Sequence, residues 1–142
     1  MKAFARVLAA GLVLGMGGAA QVATAQAESD YGDLAPMTFT APQATGGGAN
    51  YRRLCASCHG HELEGTAGPA LSGEAFSYRI GEPVFDLHDF IKNVMPPSAP
   101  GTLTDAQVAT IIAYIAQGNG MKAGGPALPT NPEELESIAF GQ

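Results

Sequence analysis

The sequence predicts an all-α fold of short helices. Tyr51, Leu54, Cys55 and Cys58 fall at i, i+3, i+4 and i+7, and Val108, Ile111, Ile112 and Ile115 repeat that spacing. Each set therefore lies on one face of a helix. The segments between them are rich in Gly and Pro and carry poor strand signals, as loops do. A chain of 142 residues has the length of one small domain.

Residues 1–27 read as a secretory signal peptide. Lys2 and Arg6 precede an apolar run from Val7 to Ala20, and Ala23-Thr24-Ala25 and Ala25-Gln26-Ala27 both fit an A-x-A cleavage site. The run is too short and too Gly-rich to serve well as a retained membrane span. The expected location is the periplasm, an oxidising compartment, with no stable membrane insertion after cleavage. The remaining chain carries five basic residues against thirteen acidic ones, a formal charge of −8. That balance argues against nucleic acid as a partner and favours partners with basic surfaces.

Residues 28–48 read as an N-terminal extension that ends in a flexible joint, Gly46 to Gly48, with Tyr31, Leu34, Met37 and Phe39 available to pack onto the domain. The domain itself is expected at residues 49–120. Its first helix is expected from Ala49 to about Ser57. A second, "DLHDFIKNV", starts near Asp86 and stops at Pro96-Pro97, where proline lacks the N–H and restricts the residue before it. Thr104 and Gln107 make a capping box for the last long helix, and Gly118 stops it. Residues 121–142 form a Pro-rich tail, with a short helix starting at Pro132 and capped by Asn131.

The chemistry concentrates in "LCASCHGHE", which holds both cysteines, Cys55 and Cys58, and the histidines His59 and His61. A thioredoxin-like dithiol would need a βαβ context, which the poor strand signals do not supply. A zinc site would need four ligands, and His59 and His61 joining the two cysteines within the seven residues from Cys55 to His61 would be strained. A disulfide would close a very short loop of little entropic value. The fourth reading is covalent attachment of one c-type haem, whose signature is C-x-x-C-H. Two thiols three positions apart meet the two vinyl groups of one porphyrin edge, and His59 then falls under the iron as proximal ligand. A buried porphyrin also supplies apolar surface that so small a domain lacks.

For the second axial position, Met37 and Met121 flank the domain, and His61 is too close to His59 to reach the other haem face. His88 sits on a polar-looking helix and reads as an exposed or capping residue. Met95 stands at a helix end before two prolines that hold its loop rigid, and it is the expected sixth ligand. His/Met ligation raises the potential and leaves no open iron site.

These residues resemble the class I c-type cytochromes over about Gly46 to Gly120. Gly47 and Tyr51 match the glycine and aromatic residue upstream of the first cysteine, "GPAL" matches the family's Gly-Pro-x-Leu, and Tyr114 in "IIAYI" matches the aromatic of the final helix. The resemblance implies a small class I cytochrome c fold around one haem. It implies that the Pro69 carbonyl accepts from the non-ligating nitrogen of His59, a contact that fixes the ligand's tautomer, and that Leu71 touches the haem. The family's tryptophan is missing, which leaves Tyr78 and Arg79 as candidates for the propionates. The stretch from "DLHDFIKNVMPP" to "GGPALP" is further similar to cytochromes that accompany quinoprotein (PQQ-dependent) dehydrogenases. The implied function is one-electron transfer from a periplasmic dehydrogenase toward the respiratory chain and a terminal oxidase, rather than catalysis. A cytochrome subunit of a larger dehydrogenase or oxidase complex is the alternative. A haem peroxidase or ligand sensor is a third reading and would require a vacant iron position.

Overall fold

The computed structural model describes residues 33–141; the signal peptide and Tyr31 lie outside them. In chain order the elements are β1 (Ala35–Pro36), α1 (Ala41–Leu54), α2 (Ala56–His59), a 3-10 helix (Glu74–Arg79), α3 (Val84–Val94), α4 (Asp105–Gly118), α5 (Pro132–Leu135) and β2 (Ile138–Ala139). The fold is all-α apart from a two-residue parallel pairing of β1 with β2 and two isolated bridges.

The longest contact runs between α1 and α4. α1 starts eight residues before the expected Ala49. Thr40 and Gln43 form a reciprocal capping box, with Pro42 in the first turn where its missing N–H costs nothing. Gly46 to Gly48, expected as a flexible joint, are therefore helix interior. The reason is close approach: a Cβ added at Gly47 would collide with the Thr110 carbonyl of α4, and one at Gly48 would press on the Tyr114 ring at 3.1 Å. Beside that crossing, the Tyr51 and Tyr114 rings pack with centroids 5.1 Å apart. α4 has the expected Thr104/Gln107 capping box and ends at Gly118, with Asn119 as C-cap.

α3 begins at Val84, two residues before the expected start, after the cap position Pro83. Its buried face is Val84, Leu87, His88 and Ile91, at i, i+3, i+4 and i+7. His88 is thus fully buried rather than exposed or capping. α3 packs on α4 with one part of its surface and on α5 and β2 with another, so its polar-looking sequence does not mark an outer face. The segments flanking the cytochrome-like stretch join the same core. Met37 and Phe39 from one side, and Leu128, Leu135 and Phe140 from the other, are all buried. Gln43 ties the two together, donating to the Leu128 carbonyl at 2.8 Å and accepting from the Leu128 N–H at 2.9 Å.

Candidate functional site

The cysteines and His59 are placed by a single turn. Cys55 terminates α1, its N–H bonding to the Tyr51 carbonyl, and the same residue opens α2, receiving the N–H of His59 at 3.0 Å. Gly60 then turns away with φ of +80°, a conformation glycine adopts freely. The turn is pinned from outside by Tyr51, whose hydroxyl donates to the Gly60 carbonyl at 2.7 Å. Burial holds this phenol well above its usual range, and the neighbouring Cys55 pushes it the same way. Tyr51→Phe leaves the carbonyl without that donor. Chemical denaturation of the haem-loaded protein is expected to show a loss of about 1–2 kcal/mol; an unchanged midpoint would mean that solvent satisfies the carbonyl instead.

A second loop wraps the end of the turn. Thr66 and Gly68 both donate to the Cys58 carbonyl, at 2.7 Å from the Thr66 hydroxyl and 2.7 Å from the Gly68 N–H. Gly65 donates to the His59 carbonyl at 2.8 Å. A Cβ at Gly68 would stand 2.9 Å from His59 Cε1, so only glycine lets the backbone come this near the imidazole. The close approach brings the Pro69 carbonyl to 2.8 Å from His59 Nδ1. A carbonyl only accepts, so Nδ1 carries the proton and the Nε2 lone pair is left for a metal. Leu63, at φ +67° and buried against Gly118, anchors the loop and receives the Leu71 N–H at 2.8 Å. Leu63 and Thr66 were missed by sequence reasoning, whereas Gly68 belongs to the "GPAL" stretch.

Glu64, outside this wrap, turns its carboxylate back onto the backbone and accepts from Glu62 N–H at 2.6 Å. Such backbone donors hold its carboxyl below the usual range, which makes it a cap for the loop. His61 is exposed and Cys58 likewise, whereas Cys55 is half-buried. Burial pushes the Cys55 thiol up to about 11, the reverse of the lowered value a reactive dithiol needs. The two cysteines are not disulfide-bonded. Among the described residues no three His, Cys, Asp or Glu side chains converge as a zinc clip requires.

What they do line is a cavity of about 710 Å³. Cys55, Cys58, His59, Pro69 and Leu71 contribute from the α2 side and its loop, while Leu87, Ile91 and Met95 come from α3 and its end, and Ile111 and Ile115 from α4. Every residue assigned to the site from sequence borders this one space. Tyr78 and Arg79 also border it. Arg79 donates to Glu82 at 2.9 Å, but its buried Nε has no partner, and a buried orphan donor is costly. An apolar cavity carrying two thiols, an imidazole with a free Nε2 and a thioether, with the Arg79 side chain at its border, fits a haem with its two carboxylates.

A helical domain built on this turn and cavity defines a c-type cytochrome domain. Residues 42–115, just over half the chain, match the family model described as cytochrome c oxidase, cbb3-type, subunit III, and the chain belongs to that family. Searches of curated proteins and of solved structures returned no match. Membership means covalently bound haem c with its iron, and electron transfer as the protein's work. Among the described residues no helix is long and apolar enough to cross a membrane.

Proposed function

We propose that this chain is an exported, periplasmic one-electron carrier. Cys55 and Cys58 would hold the haem through thioethers, His59 and Met95 would hold its iron, and Leu71 would pack on it. The bound group supplies a one-electron Fe(II)/Fe(III) couple. The observation that carries this reading is the 2.8 Å contact of His59 Nδ1 with the Pro69 carbonyl in a cavity that Met95 also borders. It supports the imidazole as a ligand through Nε2, and the shared cavity supports the Met95 thioether for the second position. Arg79, with its orphan Nε, and Tyr78 beside it receive the propionates. The exposed Cys58 and half-exposed Cys55 would leave that side of the bound group open to redox partners, in small, short-lived encounters.

The proposed donor is a periplasmic dehydrogenase of the quinoprotein type and the proposed acceptor a terminal oxidase. Stopped-flow mixing of the purified haem-loaded protein with a purified quinoprotein dehydrogenase tests the donor. Rapid reduction that slows as salt is added is expected, since the chain's acids would steer a basic partner. Absence of electron transfer would remove this donor while leaving the carrier. The family's description as an oxidase subunit favours a second reading, a cytochrome subunit held within a larger complex. Gel filtration of the mature protein with haem content, alone and then with each partner, separates the two: a carrier elutes alone, a subunit co-elutes.

A further inference from the structure

The chain from Met95 to Thr104 leaves α3 and returns to α4, and Lys92 closes it at the base. Lys92 Nζ donates to the Leu103 carbonyl at 2.6 Å and lies 3.2 Å from Asp105 Oδ1. The Lys92 carbonyl in turn receives the Gly101 N–H at 3.1 Å. One residue thus holds the far end of the loop by its backbone and by its side chain. Among the described residues, Lys92 is the only side chain outside residues 96–103 that hydrogen-bonds to that stretch. Within the loop, Ala99 N–H returns to the Pro96 carbonyl at 2.9 Å, and the Thr102 hydroxyl donates to the Ala99 carbonyl at 2.7 Å.

An exposed Lys–Asp pair by itself would hold little. Two features make this one more than that. The Lys92 side chain is only 27 % exposed and its ammonium also satisfies a backbone carbonyl, a charge-assisted bond. The same Asp105 oxygen lies 3.5 Å from Nε2 of His88, one turn earlier on α3, which is fully buried and has no hydrogen-bond partner at that atom. The carboxylate is therefore wedged between two side chains of α3 at the first residue of α4.

We propose that Lys92, acting through Leu103 and Asp105, is a positioning residue for Met95: a latch that keeps the loop shut and the thioether at the iron. This rests on the reading of Met95 as the sixth ligand. Opening the latch frees the loop from its α4 end without disturbing the α1–α4 crossing, so the second axial position becomes accessible while the domain stays folded.

Titration of the oxidised, haem-loaded protein with imidazole tests this, because imidazole takes the iron only in molecules whose Met95 has left, and its apparent affinity scales with that fraction. Lys92→Met is expected to bind imidazole about tenfold more tightly than wild type, the factor set by losing one charge-assisted hydrogen bond. Lys92→Arg, which keeps both interactions, is expected to stay near wild type. Wild-type affinity in Lys92→Met overturns the latch. Should Lys92→Met fail to fold, Asp105→Asn serves in its place: tighter imidazole binding supports the latch, and wild-type affinity overturns it. Met95→Ala separates this from the ligand reading. It should bind imidazole most tightly of all; if it binds like wild type, Met95 is not the group displaced, and both the ligand assignment and the latch fall.

Discussion

Gly47→Ala is expected to destabilise the protein by about 3 kcal/mol or more, whereas Gly46→Ala, one residue away, is expected to stabilise it by about 0.5–1 kcal/mol. Both glycines lie inside α1, where alanine is the better helix former. At Gly46 the added methyl meets nothing within 4 Å, so only the gain in helix propensity and the reduced freedom of the unfolded chain remain. At Gly47 the methyl would overlap the Thr110 carbonyl and touch Tyr114 Cβ at 3.0 Å. The obstacle is backbone and cannot rotate away, so α1 and α4 must separate. Separation loosens the Tyr51–Tyr114 contact and with it the hydrogen bond that pins the turn carrying Cys55, Cys58 and His59. Thermal unfolding of the haem-loaded proteins, followed by far-UV circular dichroism, should show the melting temperature of Gly47→Ala lower by on the order of 10 °C, with Gly46→Ala slightly raised. Equal melting temperatures for the two variants would mean that the helices do not approach as closely as described.

The same glycines show where sequence reasoning stopped. Three consecutive glycines oppose helix formation on propensity, and only the partner helix, about sixty residues on, explains Gly47 and Gly48. The capping box that starts α1, Thr40 and Gln43 on either side of Ala41-Pro42, is the same signature as the Thr104/Gln107 box that marked α4. That start was legible, but the glycine run overrode it. His88 shows a different limit. Val84, Leu87, His88 and Ile91 share a helical face, so the period points inward, against the polar look of the segment as a whole. The packing of Met37, Phe39, Leu128 and Phe140 into the core depends on two distant segments meeting, which no local pattern encodes. The cofactor site was the most legible part, because its chemistry is local. C-x-x-C-H spans one helical turn, and the Gly68-Pro69 pair follows within ten residues. The prolines after Met95 mark it as a ligand candidate in the sequence, whereas the contacts of Lys92 with Leu103 and Asp105 are visible only in three dimensions.

Met95→Ala is expected to have the largest effect on function and a small one on the fold. Met95 is half-buried at the end of α3 and rests against the core rather than within it, so truncation costs packing at one edge of the cavity. If Met95 is the sixth ligand, as proposed, the iron would lose a soft thioether that favours the ferrous state. In the oxidised protein the weak long-wavelength band of Met–Fe(III) should vanish, and the reduction potential should fall by about 0.1 V, roughly two decades of ferrous preference at about 59 mV each. Electron transfer should slow as well, because water or a foreign ligand at the vacated position has to rearrange between oxidation states, whereas a thioether held by its loop remains in place in both. Visible spectra and voltammetry on wild type and variant decide the matter. A wild-type oxidised spectrum of the five-coordinate, high-spin kind would mean that the second position is open in the native protein, which is the state a peroxidase or a ligand sensor requires and an electron carrier does not.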